Sequence, residues 1–189
     1  MSSQAIFLDR DGVIIENRRE YVRAWNEVQI FPEALQALAA LEGLPYKTVI
    51  VTNQSAIGRG LLAADQADEI NRRLIQAIEA AGGKVDGLFV CPHAPEQACE
   101  CRKPLPGLLF QAQKALDLDL PQSILIGDAL TDLQAGRAAG VGALALIRTG
   151  RGREQEALAQ RDGFDPNFTF ENLAAAFEAL LAVRSRQLK

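Results

Sequence analysis

Four acidic residues stand where chemistry could be done: Asp9 and Asp11 in Asp9-Arg10-Asp11-Gly12, and Asp128 and Asp132 in the run GDALTD. Asp9 and Asp128 each follow an apolar run directly. Carboxylates gathered at one place repel each other unless protons or a cation compensate, and oxygen ligands of this kind suit Mg²⁺. Such a set supports phosphoryl transfer. One carboxylate can attack phosphorus to give an aspartyl-phosphate, and a second carboxylate two residues on can move a proton. The cation lets the anionic nucleophile approach the phosphate. A hydroxyl, an amide and a lysine then hold the transferring oxygens, and Thr52, Asn53 and Lys103 supply those groups. Any one of these Asp residues, taken alone, reads as a turn or a helix cap. Their placement after successive apolar strands is what argues for a single site.

A second constellation is compact. All three Cys and the one His of the chain, Cys91, His93, Cys99 and Cys101, fall between positions 91 and 101. Three thiolates and one imidazole form a closed tetrahedral set suited to structural Zn²⁺, with no open position for a catalytic water. A loop with free buried thiols is the alternative. Arg102-Lys103-Pro104 follows at once, so zinc would brace the loop that delivers Arg102 and Lys103. An unbraced loop carrying two cations would lose entropy on each binding event.

Positioning these groups requires alternating strands and helices. Apolar runs predict strands at residues 5–8, 47–52, 85–90, 123–127 and 143–147. Helical spacing places Leu35, Leu38 and Leu41 on a helix opened by Pro32, and Ala67, Ile70, Leu74, Ile78 and Ala81 on the next. Further helices are predicted over 106–116 and 130–139. A last one buries Leu173, Ala176, Phe177, Leu180 and Leu181, with a basic tail over 184–189 that is expected to fray. The pattern specifies an α/β fold in three layers, a mainly parallel sheet with helices on both faces, in one domain over residues 1–189. Ligands in such sheets bind beyond the carboxyl ends of the strands. Asp9, the run Thr52-Asn53-Gln54-Ser55, and Asp128 all fall there.

The net charge of −4, from 20 Lys and Arg against 24 Asp and Glu, argues against a broad nucleic-acid surface. No segment approaches the about 18–20 apolar residues that cross a bilayer. No secretory signal is evident and three Cys cannot pair evenly, so a cytoplasmic, membrane-free, monomeric protein is expected. Neither a Gly-x-Gly-x-x-Gly turn nor a Gly-x-x-x-x-Gly-Lys loop occurs, which argues against a dinucleotide enzyme.

The motifs FLDRDG, VTNQS, RKP and GDALTD resemble, in order, the four motifs of the haloacid dehalogenase (HAD) superfamily of phosphatases. The resemblance runs from Ala5 to about Asp132. It implies that Asp9 is the nucleophile and Asp11 the general acid/base, that Thr52 and Lys103 bind the phosphoryl group, and that Mg²⁺ is held by the Asp9 side chain, the Asp11 backbone carbonyl and Asp128. Asp132 would stand behind these or cap a helix. The cysteine-rich loop before RKP is similar to that of a subgroup containing sugar-bisphosphate phosphatases that act on a heptose, and histidinol-phosphate phosphatases. TNQSAIGRG and the turn Ile147-Arg148-Thr149-Gly150 favour the heptose side. The expected substrate is therefore a small phosphorylated sugar. Substrate contacts are expected from Asn53, Gln54, Ser55 and Arg102, with Tyr21 and Arg148 as further candidates, and the basic run Arg148, Arg151, Arg153 facing a second phosphate or forming a solvated turn. The stretches between Gly12 and Pro32 and after Ser55 are too short for the cap domains the superfamily inserts there. A 3′-phosphate phosphatase and a zinc-dependent binding module are the other readings.

Overall fold

The computed structural model describes residues 2–187. Six strands form one sheet: β1 (Gln4–Leu8), β2 (Tyr46–Asn53), β3 (Gly87–Cys91), β4 (Ile124–Gly127), β5 (Ala143–Ile147) and β6 (Phe168–Phe170). Their order is β3-β2-β1-β4-β5-β6, and every pairing is parallel. The strands are rich in Val, Ile and Leu because parallel strands are buried on both faces. Alternation divides each strand between two cores. Ile6 and Leu8 of β1 face one layer with Ile50 and Ile126, while Ala5 and Phe7 face the other with Val49, Val51 and Leu125.

The first layer is covered by α1 (Pro32–Ala39), α3 (Ala64–Ala80) and α7 (Leu173–Gln187), the second by α4 (Gly107–Leu116), α5 (Leu130–Ala139) and α6 (Gly152–Arg161). A one-turn helix, α2 (Ser55–Gly58), lies at the mouth of β2. Between Gly12 and Pro32 the described chain forms a loop with a single 3₁₀ turn at Trp25–Glu27, so no cap domain covers this end of the sheet. No helix among the described residues is long and apolar enough to cross a membrane.

Two parts of the sequence reading need correction. The turn expected around Arg148–Arg153 continues into α6, whose buried residues are only Gly152 and Ala159, too few to give a helical apolar stripe. β6 is three residues long, too short for a period-two signal, yet it extends the sheet beside β5. Of the basic tail over 184–189, α7 extends to Gln187, and Leu188 and Lys189 lie outside the described residues.

Candidate active site

β1 is central, and the strand order reverses beside it, between β1 and β4. That is where parallel sheets open a crevice at their carboxyl ends. The residue after β1 is Asp9 and the residue after β4 is Asp128. The pairing of Leu8 with Ile126, and the Asp9 N–H donated to the Ile126 carbonyl at 3.1 Å, hold the two strand ends side by side. Asp132 comes in from the first turn of α5, where Oδ2 accepts the Ala129 N–H at 3.1 Å and caps the helix. Oxygens of Asp9, Asp128 and Asp132 all lie within 4.8 Å of one another.

One buried cation serves this cluster. Lys103, 4% exposed, places Nζ 2.9 Å from Asp9 Oδ1 and 2.6 Å from Asp132 Oδ1, and donates to the Val51 carbonyl at 2.9 Å. Burial alone would lower the Lys103 pKa, but Asp132 and Asp9 hold the ammonium charged, well above its ordinary range. Burial pushes the Asp9 carboxyl up to about 6, with Lys103 opposing and Asp132 and Asp11 adding to the rise. Asp128 is fully buried and is also raised, by burial and then by Asp9, with Arg151 opposing. Its Oδ2 accepts from Asn17 Nδ2 at 2.6 Å and from the Arg151 N–H at 2.9 Å, while its Oδ1 accepts no hydrogen bond. Three buried carboxylates facing one buried ammonium, with an unpartnered carboxylate oxygen, fit a divalent cation with oxygen ligands.

Asp11 stands apart from that cluster. Its carboxylate accepts from Arg10 Nε at 3.0 Å, Arg10 Nη2 at 3.2 Å and Gln54 Nε2 at 2.9 Å, and lines the same cavity. The cavity is about 830 Å³ and is lined by the acids Asp9, Asp11 and Asp132 with Lys103, by Asn17, Tyr21, Asn53, Gln54 and Ser55, and by the arginines Arg18, Arg19, Arg102 and Arg151.

Other predicted residues make contacts that the sequence did not specify. Asn53 uses its whole amide on the backbone of Lys103: Nδ2 donates to the Lys103 carbonyl and Oδ1 accepts the Lys103 N–H, both at 3.1 Å. Gln54 is 6% exposed and its amide joins Thr52 Oγ1 (2.8 Å), Asp11 and Arg10 (2.8 Å). Both residues also line the cavity, so these hydrogen bonds fix side chains that form part of its wall. Thr52 is buried and does not line the cavity. Arg148 is out of the cavity, tied to Glu156 at 2.7 Å and Glu171 at 2.6 Å, and Arg153 pairs with Glu171 at 2.8 Å. Of the basic run only Arg151 reaches the cavity, because Gly150 turns the chain there and the Thr149 hydroxyl donates to the Gly12 carbonyl at 2.6 Å. The reading from sequence missed Arg10. Its signal was an Arg lodged between two acids at a strand end.

Gly12 has φ +88°, and a Cβ there would collide with the Asp128 carboxylate and the Asn17 amide. Gly12→Ala is expected to destabilise the fold by about 1–3 kcal/mol from backbone strain alone. A thermal unfolding midpoint equal to that of the unsubstituted chain would contradict the packing described.

The four Cys/His side chains converge. Cys101 Sγ lies 3.1 Å from Cys91 Sγ and 3.5 Å from Cys99 Sγ, Cys91 and Cys99 are 3.5 Å apart, and His93 Nδ1 is 3.3 Å from Cys101 Sγ. Donor atoms this close suit a single tetrahedral metal ion. Cys91 ends β3, and Arg102 Nη1 donates to the His93 carbonyl at 3.2 Å, so the knuckle and the cavity wall are one structure.

Comparison with known proteins agrees with this arrangement. The HAD-hydrolase-like family matches residues 100–176. D-glycero-beta-D-manno-heptose-1,7-bisphosphate 7-phosphatase of Bordetella bronchiseptica is 40% identical over 176 residues, 93% of this chain and 97% of that protein. The protein of the same name from Yersinia pestis is 38% identical over 157 residues, 79% of this chain and 83% of its own length. The crystal structure of the B. bronchiseptica D,D-heptose 1,7-bisphosphate phosphatase, complexed with magnesium and phosphate, superimposes with a TM-score of 0.88 at 38% identity, covering 95% of this chain and 98% of that one. With strand-end carboxylates and a buried lysine in place and these matches nearly end to end, the chain belongs to the HAD-like phosphatases, in the family of the heptose-1,7-bisphosphate 7-phosphatases.

Proposed function

We propose that the cavity hydrolyses the phosphomonoester of a small phosphorylated sugar by way of a phospho-Asp9 intermediate, and that its substrate is D-glycero-D-manno-heptose 1,7-bisphosphate, cleaved at the 7-phosphate. The observation that carries the proposal is the pairing of Asp9 with Lys103 on a cavity that Asp11 also lines.

An Asp9 carboxylate oxygen attacks phosphorus as the bond to the sugar oxygen breaks, and Asp11 gives its proton to that leaving oxygen. Lys103 neutralises charge on the phosphoryl oxygens. Water then attacks the phosphorus of phospho-Asp9, Asp11 takes the water's proton, and the Asp9 carboxylate and inorganic phosphate are released. Asp9, Asp128 and the backbone carbonyl of Asp11 would hold Mg²⁺, which supplies positive charge between the two anions. Asp132 keeps Lys103 charged and caps α5. Asn53 fixes the Lys103 backbone. Cys91, His93, Cys99 and Cys101 hold Zn²⁺ as a brace for Arg102, without taking part in the chemistry. The openness of this end of the sheet leaves selection of the sugar to Tyr21, Ser55 and the arginines that line the cavity, which suit a second phosphate.

Phosphate release from the heptose bisphosphate, histidinol phosphate and a 3′-phosphorylated oligonucleotide is expected to rank the heptose first in kcat/KM. If it ranks last, the substrate assignment is wrong. Treatment with EDTA is expected to stop turnover and Mg²⁺ to restore it, with about one zinc per chain retained throughout by metal analysis. Full activity in EDTA would refute the magnesium assignment.

A further inference from the structure

We infer that Arg10 is the positioning residue for Asp11, holding its carboxylate at the leaving group and away from the three-carboxylate cluster. Arg10 follows Asp9 directly yet is 1% exposed, so its guanidinium is neither solvated nor a wall of the cavity. A buried guanidinium persists only where its donors are met. Here Nε and Nη2 grip the two Asp11 oxygens as a fork, Nη2 also donates to Gln54 Oε1 at 2.8 Å, and Nη1 donates to Asn71 Oδ1 at 2.7 Å.

The far anchor is informative. Asn71 is 4% exposed on the apolar stripe of α3, among Ala67, Ile70 and Leu74, and its Nδ2 has no partner. A buried amide with one end unsatisfied is costly, so its oxygen must serve something, and that is Arg10. The strut thus runs from α3 through Arg10 to Asp11. A fork fixes the plane of a carboxylate as well as its position. The consequence shows in the cluster: Asp9, Asp128 and Asp132 converge and the Asp11 side chain does not join them. Released from the fork, the Asp11 carboxylate could turn toward the same cation and leave the sugar oxygen without a proton donor. The inference rests on the reading of Asp11 as acid/base.

The test compares two esters in wild type, Asp11→Asn, Arg10→Lys and Asn71→Ala: the best sugar phosphate of the panel above, whose alkoxide needs a proton to leave, and p-nitrophenyl phosphate, whose phenolate does not. Asp11→Asn is expected to lose about 100-fold in kcat on the sugar phosphate and far less on the nitrophenyl ester. Arg10→Lys should repeat that selective loss at about 10–100-fold, with KM within about two-fold, and Asn71→Ala should show a smaller loss of the same pattern. A general loosening of the fold would reduce both esters alike. Equal losses on both esters, or no loss, in Arg10→Lys beside a selective Asp11→Asn overturn the inference alone. An unselective Asp11→Asn overturns the acid/base reading and takes the inference with it. Should Arg10→Lys fail to fold, Asn71→Ala decides by the same criterion: selective loss supports the strut, uniform or absent loss removes it.

Discussion

Asp9→Asn lowers turnover by on the order of 10⁵-fold while leaving the fold in place. The amide has the shape of the carboxylate but is a far weaker nucleophile, so the phospho-enzyme should not accumulate. The fold survives because the substitution removes a charge that burial already disfavours. Lys103 keeps Asp132 at 2.6 Å and the Val51 carbonyl at 2.9 Å. Steady-state phosphate release, acid-quenched trapping of labelled phospho-enzyme and a thermal melt check the three parts of this expectation. Turnover within ten-fold of wild type would end the proposed role of Asp9.

Lys103→Met is the second large effect, and it falls on stability as well as activity. The ammonium lies between Asp9 and Asp132, and both the cation and its partners are almost wholly buried. Removing one partner of a buried ion pair leaves uncompensated charge, typically at a cost of about 3–5 kcal/mol. For a chain of 189 residues each kcal/mol moves the unfolding midpoint by roughly 2–4 °C, so a loss of about 10 °C is expected. Adding Asp132→Asn to Lys103→Met should recover part of that loss, because it removes one of the stranded charges, while turnover stays low. Strict additivity of the two substitutions in a denaturant titration would mean that the pair is not coupled as the distances indicate.

Much of this was legible in the sequence because the signals are local. Ile6 and Leu8 alternate with Ala5 and Phe7, and only a strand covered on both faces satisfies that pattern. An acid directly after such a strand falls at its carboxyl end whatever the rest of the fold does. The Cys/His spacing confines four ligands to one loop, and they meet there. What was not legible depends on where a side chain turns. Asn53 and Gln54, expected to touch substrate, do line the cavity, and nothing in their types says that their amides also bond to Lys103 and Arg10. Arg148 and Arg151 are three positions apart and equivalent in sequence. The turn at Gly150 sends one to Glu156 and Glu171 and the other to the cavity. The task of Arg10 was not legible for a third reason: its partner Asn71 is 61 residues away on α3, which only the fold brings beside it.

The four arginines that line the cavity, Arg18, Arg19, Arg102 and Arg151, have a consequence for encounter. The chain as a whole is negative, at −4, and would repel an approaching phosphate dianion. Four guanidinium groups on one cavity, with Lys103, set positive charge against the carboxylates Asp9, Asp11, Asp132 and Glu154 there and favour a dianion more than the rest of the surface does. At physiological salt, charges are screened beyond about 8 Å, so the attraction acts only over the last stretch of the approach. The capture rate should therefore fall as ionic strength rises, while the chemical step, sealed against screening around Asp9 and Lys103, is left as it was.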